Sequence, residues 1–148
     1  MPKRLNKNMT PLERFRRVFL EVTAPKGGLP TMPTRVSDLA SDELGNMIAR
    51  YTAWREFTED RHAEACAVFS QCKSEYDLAC DKATLGSTAE TVTERKVVAK
   101  TQPNVIELGK RLNEAEIFMG LLARKLDSFS NVLAMLSREL TRRGVANA

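Results

Sequence analysis

The chain has 148 residues, and its hydrophobic fraction of 43% is near the norm for globular proteins. These values fit one domain of ordinary size and exclude a chain that is disordered throughout. Its 23 Lys and Arg against 19 Asp and Glu give a net charge of +4. No run approaches the ~18 apolar residues of a membrane span, and the basic N-terminal stretch lacks the apolar core of a secretory signal. We therefore expect a cytoplasmic protein.

The charge is unevenly distributed along the chain. Residues 1–35 carry +6, residues 36–86 carry −5 and residues 87–148 carry +3. A basic N-terminal arm favours an anionic partner such as nucleic acid, although many N-termini are basic only for solubility. The candidate nucleic-acid-binding residues of this arm are Lys3, Arg4, Lys7, Arg14, Arg16 and Arg17.

The stretch TPLERFRRVFLEV predicts a short amphipathic helix that is capped by Thr10 and ends at about Val22. Arginines and phenylalanines alternate in it, so the arginines are suited to phosphates while Phe15 or Phe19 stacks on a base. A simpler reading is that these phenylalanines, three and four residues from their apolar neighbours, face the core and leave only the arginines exposed.

The segment TAPKGGLPTMPTR, residues 23–35, contains three prolines and two glycines and predicts an extended loop or linker. We therefore divide the chain into a basic N-terminal helix with its Pro/Gly linker, residues 1–35, and a helical hairpin domain, residues 36–148. The PKGG sequence lacks the preceding strand and the following Lys-Ser/Thr of a phosphate-binding loop.

Two long helices are predicted in the second segment. The first begins with Ser41 as its cap and runs to about Leu85; the second begins near Pro103 and ends where Gly144 follows two arginines. A linker of some fifteen residues joins them and permits an antiparallel arrangement. The predicted fold class is therefore all-α, a long antiparallel, coiled-coil-like helical hairpin with a short basic N-terminal helix.

An apolar seam runs along the second long helix. Eleven positions at alternating spacings of three and four are all apolar, the pattern of a coiled-coil seam. They are Val105, Leu108, Leu112, Ala115, Met119, Leu122, Leu126, Phe129, Leu133, Leu136 and Leu140. The first helix has a matching row from Leu44 to Ala83, with a shift of register around residues 58–62.

Apolar residues also lie off the seam. Because a two-helix hairpin has only one inner face, such residues pack under the N-terminal helix or between subunits, and we expect a homo-oligomer rather than a monomer. The candidate oligomer interface consists of Ile117, Phe118, Leu121, Val132 and Met135.

Catalysis has little support in the sequence. His62 and Cys66 are four residues apart on one helical face, but nothing completes a metal site. Cys66, Cys72 and Cys80 are expected to be free thiols, since residues spread along one helix do not pair readily. We expect no enzyme activity, no metal and no cofactor.

Two further basic clusters are candidates for binding a polyanion. Arg95, Lys96 and Lys100 lie at the predicted tip of the hairpin, and Arg138, Arg142 and Arg143 lie near its opposite end. Each cluster by itself is weak evidence for nucleic-acid binding.

Two features of the chain lie in a recognisable order: the pair Tyr51-x-x-Trp54 is followed by a long charged helix, and the element Lys96 to Val98 leads into an apolar second helix. This layout, over about residues 47–140, resembles that of the UvsY family of phage recombination mediators. The resemblance implies a homo-oligomer that binds single-stranded DNA, helps to remove a single-strand-binding protein and loads a RecA-type recombinase. The chain departs from that family in its first long helix, which is net acidic here, so no DNA contact of the family transfers to it.

The sequence therefore predicts a non-catalytic recombination mediator that binds single-stranded DNA. The alternative is a structural or scaffold-like interaction protein, such as one in a phage particle, whose spare apolar faces bind other protein subunits. In that alternative the basic arm only touches packaged nucleic acid or an acidic partner.

Overall fold

The computed structural model describes residues 9–19 and 23–146. Over these residues the chain forms α1 (Pro11–Phe19), a 3-10 turn (Val36–Asp38), α2 (Ser41–Gly86), α3 (Val92–Ala99) and α4 (Pro103–Ala146), with no strand. The long helices α2 and α4 pack against each other as a helical hairpin, which confirms the predicted all-α fold. The predicted end of the first helix at Val22 lies outside the described residues.

Side chains set the starts of the helices. A capping box opens α1: the Glu13 amide donates to Thr10 Oγ1 at 3.2 Å and the Thr10 amide donates to the Glu13 carboxylate at 2.8 Å. Thr10 is therefore confirmed as a cap. The predicted capping role of Ser41 is wrong, because Ser41 is the first residue of α2 and the first helical hydrogen bond runs from the Leu44 amide to the Ala40 carbonyl.

Two predicted boundaries differ from the structure. The linker between the long helices contains α3, which Thr91 and Glu94 open with a second capping box. Gly144 does not end α4, which continues to Ala146. A glycine stop requires the left-handed conformation, and among the described residues only Gly27 and Gly28 have positive φ.

The chain forms two compact units. Among the described residues, the terminal unit comprises 9–19, 23–62 and 122–146, and the central unit comprises residues 63–121. In the terminal unit the start of α2 packs on the end of α4 around a core of Leu44, Tyr51, Phe129 and Leu136. The Tyr51 and Phe129 rings meet edge to face, with centroids 6.0 Å apart. Met32, Val36 and Leu39 cover this core, so the Pro/Gly segment is part of the packing.

In the central unit the end of α2 lies close to the start of α4. A methyl group at Gly109 would be 3.3 Å from Cε2 of Tyr76, so the glycine makes room for that ring. Ala65, Ala99 and Val105 are buried here. Small side chains at these positions are consistent with a close approach of helices.

The predicted seam is confirmed along α4 except at its last residue. Ten of its eleven positions on α4 are buried or half-buried, and only Leu140 is exposed. On α2 the expected shift of register coincides with Thr58, a buried polar residue in the seam whose hydroxyl donates to the Trp54 carbonyl at 2.7 Å. The hydrogen bond satisfies the hydroxyl, so a polar residue is accommodated without a break in α2.

Candidate nucleic-acid interface

Helix α1 carries the first group of candidate residues. Arg14 and Arg16 are exposed, whereas Arg17 is half-buried with its guanidinium 3.7 Å from the Met9 sulfur. Glu13 lies in the first turn and Arg16 and Arg17 in the last, so the charges complement the helix dipole. The remaining residues of this group, Lys3, Arg4 and Lys7, lie outside the described residues.

The second group lies at α3, in the central unit. Arg95 is half-buried, and its Nε donates to the Ala89 carbonyl at 2.7 Å, where it fixes the turn that precedes the helix. Lys96 and Lys100 are exposed and one turn apart, joined by a backbone hydrogen bond from the Lys100 amide to the Lys96 carbonyl. Two of the three cations therefore point to solvent, and the third has a local structural role.

The third group, at the end of α4, is partly neutralised. The Glu139 carboxylate accepts hydrogen bonds from Arg142 at 2.8 and 2.9 Å and from Arg143 at 2.9 Å. These bonds hold the pKa of Glu139 at about 2, well below its usual value of 4.5. Arg143 also reaches the carbonyls of Val36 and Ser37, each at 3.4 Å. Arg143 therefore ties α4 to the segment before α2.

Counting charges by unit separates the basic from the acidic part of the chain. The described residues of the terminal unit include 13 Lys and Arg against nine Asp and Glu, a net charge of +4, whereas the central unit has seven against nine, a net charge of −2. The excess of positive charge therefore lies in one compact unit of the fold. The terminal unit, which includes α1, is the better-suited surface for a polyanion.

The tyrosine and tryptophan that carry the UvsY resemblance hold the Pro/Gly segment in place. The Tyr51 hydroxyl donates to the Pro30 carbonyl at 3.0 Å, and Trp54 Nε1 donates to the Gly28 carbonyl at 2.9 Å. The Arg50 guanidinium donates to the carbonyls of both glycines of the segment, at 3.3 and 3.2 Å. These three side chains of α2 act within the protein, and sequence reasoning did not assign them this function.

The candidate oligomer interface divides into two sets. Ile117, Phe118 and Leu121 are 54%, 56% and 56% exposed in the central unit. In the terminal unit Met135 is exposed, whereas Val132 is half-buried against the core. The first set forms a continuous apolar surface, because its three residues occupy neighbouring positions on one side of α4.

A groove of about 610 Å³ opens in the central unit beside α3. Its apolar lining includes Leu78, Val98 and Leu108, and Lys82 and Glu75 contribute charge. The groove was not predicted, because the sequence between the long helices was interpreted as a linker of some fifteen residues without a helix. The pattern Thr91-x-x-Glu94, a capping box, would have revealed the helix that borders it.

The side chains suited to metal binding or thiol chemistry, His62 and the three cysteines, all lie on α2. Over residues 9–19 and 23–146 no group of three or more His, Cys, Asp or Glu is placed to hold a metal ion. Cys66, Cys72 and Cys80 are half-buried, and the three form no disulfide among the described residues. No helix in the described part of the chain is long and apolar enough to cross a membrane.

Comparison with known proteins gives no family assignment. No protein-family model matches the chain, and no curated protein and no solved structure shows significant similarity to it.

Proposed function

We propose that this protein is a non-catalytic recombination mediator that binds single-stranded DNA, forms a homo-oligomer and helps to load a RecA-type recombinase in place of a single-strand-binding protein. The observation that carries DNA binding is the net charge of the terminal unit, +4 over its described residues, together with the exposed arginines Arg14 and Arg16 on α1. The preference for single strands and the step of recombinase loading rest on the UvsY resemblance.

Binding in this proposal is mainly electrostatic. Arg14, Arg16 and Arg17 neutralise phosphates, which releases the counterions that surround a nucleic acid. Lys96 and Lys100 offer a second, smaller contact in the central unit. Because Tyr51 and Trp54 already bond to the Pro/Gly segment, we assign them no stacking role. The protein therefore recognises the backbone and tolerates any base sequence.

A second candidate function follows from the apolar surface of α4. Ile117, Phe118 and Leu121 are each more than half exposed, and exposed apolar patches mark protein contacts. In this alternative the chain is a structural or scaffold-like interaction module, such as one in a phage particle. The cations then serve solubility or touch nucleic acid only incidentally.

Fluorescence anisotropy of a labelled single-stranded oligonucleotide tests the proposal. A duplex of the same length is titrated beside it, at low and at near-physiological salt. Micromolar or tighter binding that prefers the single strand and weakens as salt rises supports the mediator. Equal weak binding to both forms that vanishes at physiological salt contradicts it and favours the interaction module.

A further inference from the structure

The exposed apolar surface of α4 has charges of opposite sign on its two sides. Glu114, Phe118, Leu121 and Lys125 follow one another at spacings of four, three and four residues, so they form one row along the helix. Phe118 and Leu121 are each 56% exposed, and Glu114 and Lys125 are exposed as well. The row therefore reads acidic, apolar, apolar, basic.

We propose that a second copy of the chain packs antiparallel on this row, around a two-fold axis that passes between Phe118 and Leu121. Residues equally far from such an axis on its two sides face each other. Phe118 then meets the partner subunit's Leu121, and Glu114 meets the partner subunit's Lys125. Symmetry repeats both contacts, which gives two apolar pairs flanked by two ion pairs.

The charge order favours a second copy over an unrelated partner. Only an antiparallel copy brings opposite charges together on both sides of the apolar centre, because a parallel copy would place glutamate on glutamate and lysine on lysine. In the single chain the Lys125 ammonium lies 5.0 Å from the ring centroid of the buried Phe129, so it exchanges this contact for the partner subunit's Glu114 when the copies pair. The inference rests on the homo-oligomer in the proposed function and not on DNA binding.

Charge exchange between two variants tests this geometry. We would measure self-association of the full chain without DNA, by sedimentation equilibrium, for wild type, Glu114→Lys, Lys125→Glu and an equimolar mixture of the two variants. Each variant alone opposes like charges at both ion pairs, so its dissociation constant should rise about tenfold. In the mixture both pairs regain opposite charges, and dimers of mixed composition should form with an affinity near that of wild type.

Glu116→Lys is the matched control, since Glu116 is exposed on the same helix but outside the row. It should associate like wild type, and far-UV circular dichroism should show the same helix content for all variants. A wild type that stays monomeric at tens of micromolar would overturn the proposal. So would single variants that associate normally, or a mixture that associates no better than its components. Because no DNA is present, each of these results is independent of nucleic-acid binding.

Discussion

The hydroxyl of Tyr51 on α2 donates a hydrogen bond of 3.0 Å to the carbonyl oxygen of Pro30, a buried residue twenty-one positions earlier. The Tyr51 side chain is also part of the apolar core and is only 6% exposed. Its burial raises the pKa of the Tyr51 phenol above the usual value of 10. One residue therefore joins the core of the hairpin to the Pro/Gly segment.

Replacing Tyr51 by Phe should keep the ring contact and remove the hydrogen bond. The Pro30 carbonyl would lose its donor in a buried place, so we expect the free energy of unfolding to fall by about 1–3 kcal/mol. Urea denaturation followed by circular dichroism measures this change. Thr52→Ala is the comparison, because the exposed Thr52 hydroxyl bonds only to its own helix. Its removal should lower the free energy of unfolding by less. Equal stability of Tyr51→Phe and wild type would show that the hydrogen bond does not hold the segment.

Two glycine-to-alanine substitutions should change the free energy of unfolding in opposite directions. Gly27 has φ = +88°, where a side chain is strained, so Gly27→Ala should lower the free energy of unfolding by about 1–2 kcal/mol. Gly45 lies within α2, and a methyl group there meets open space. Gly45→Ala should raise stability by about 0.5–1 kcal/mol, since alanine restricts the unfolded chain and favours helix. Thermal unfolding of the two variants tests the pair, and a stabilising Gly27→Ala would contradict the left-handed turn.

Glu139 should make stability depend on acid pH. Its pKa is about 2 in the folded protein against 4.5 ordinarily, because Arg142 and Arg143 bond to the carboxylate. Because the pKa of Glu139 is lower in the folded than in the unfolded chain, its carboxylate stabilises the fold fully above pH 4.5. This stabilisation is lost as the pH falls toward 2. Glu139→Gln should therefore be less stable at neutral pH and should lose less stability than wild type over that interval.

The measurement for Glu139 is urea denaturation at a series of pH values from 2 to 7. Glu116→Gln is the control, since Glu116 is an exposed glutamate on the same helix. If Glu139→Gln and wild type lose stability in parallel over that range, the two guanidinium contacts do not persist in solution.

The arginines of α1 should govern the salt dependence of DNA binding. For single strands the logarithm of affinity falls with the logarithm of salt at about 0.7 per phosphate contact, so the combined change Arg14→Ala, Arg16→Ala and Arg17→Ala should reduce the slope by about 2. The control Lys73→Ala, Lys82→Ala and Arg111→Ala removes the same charge from the acidic central unit. Anisotropy titrations at four salt concentrations measure both slopes. If the α1 variant and the control variant have equal slopes, α1 is not the main contact with DNA.

Periodic patterns in the amino-acid sequence were enough to predict the helical class, the approximate bounds of the long helices and the inner face of the hairpin. The reason is periodicity: apolar residues at spacings of three and four fix both the helix and the side that it buries. Thr10 and Pro103 were recognisable as helix starts because capping and the restricted φ of proline act within one turn of the chain. The excess of positive charge near the N-terminus was likewise visible without a structure.

The roles of residues whose partners are distant in sequence became visible in the folded chain. The bonds from Tyr51, Trp54 and Arg50 to the Pro/Gly segment, and from Arg143 to Val36 and Ser37, join positions 21 to 107 residues apart. A spacing rule reaches only along one helix, whereas these contacts depend on how α2 and α4 fold back on the chain. The same distinction explains why Arg143 resembled a surface cation in the sequence and is a structural tie in the fold.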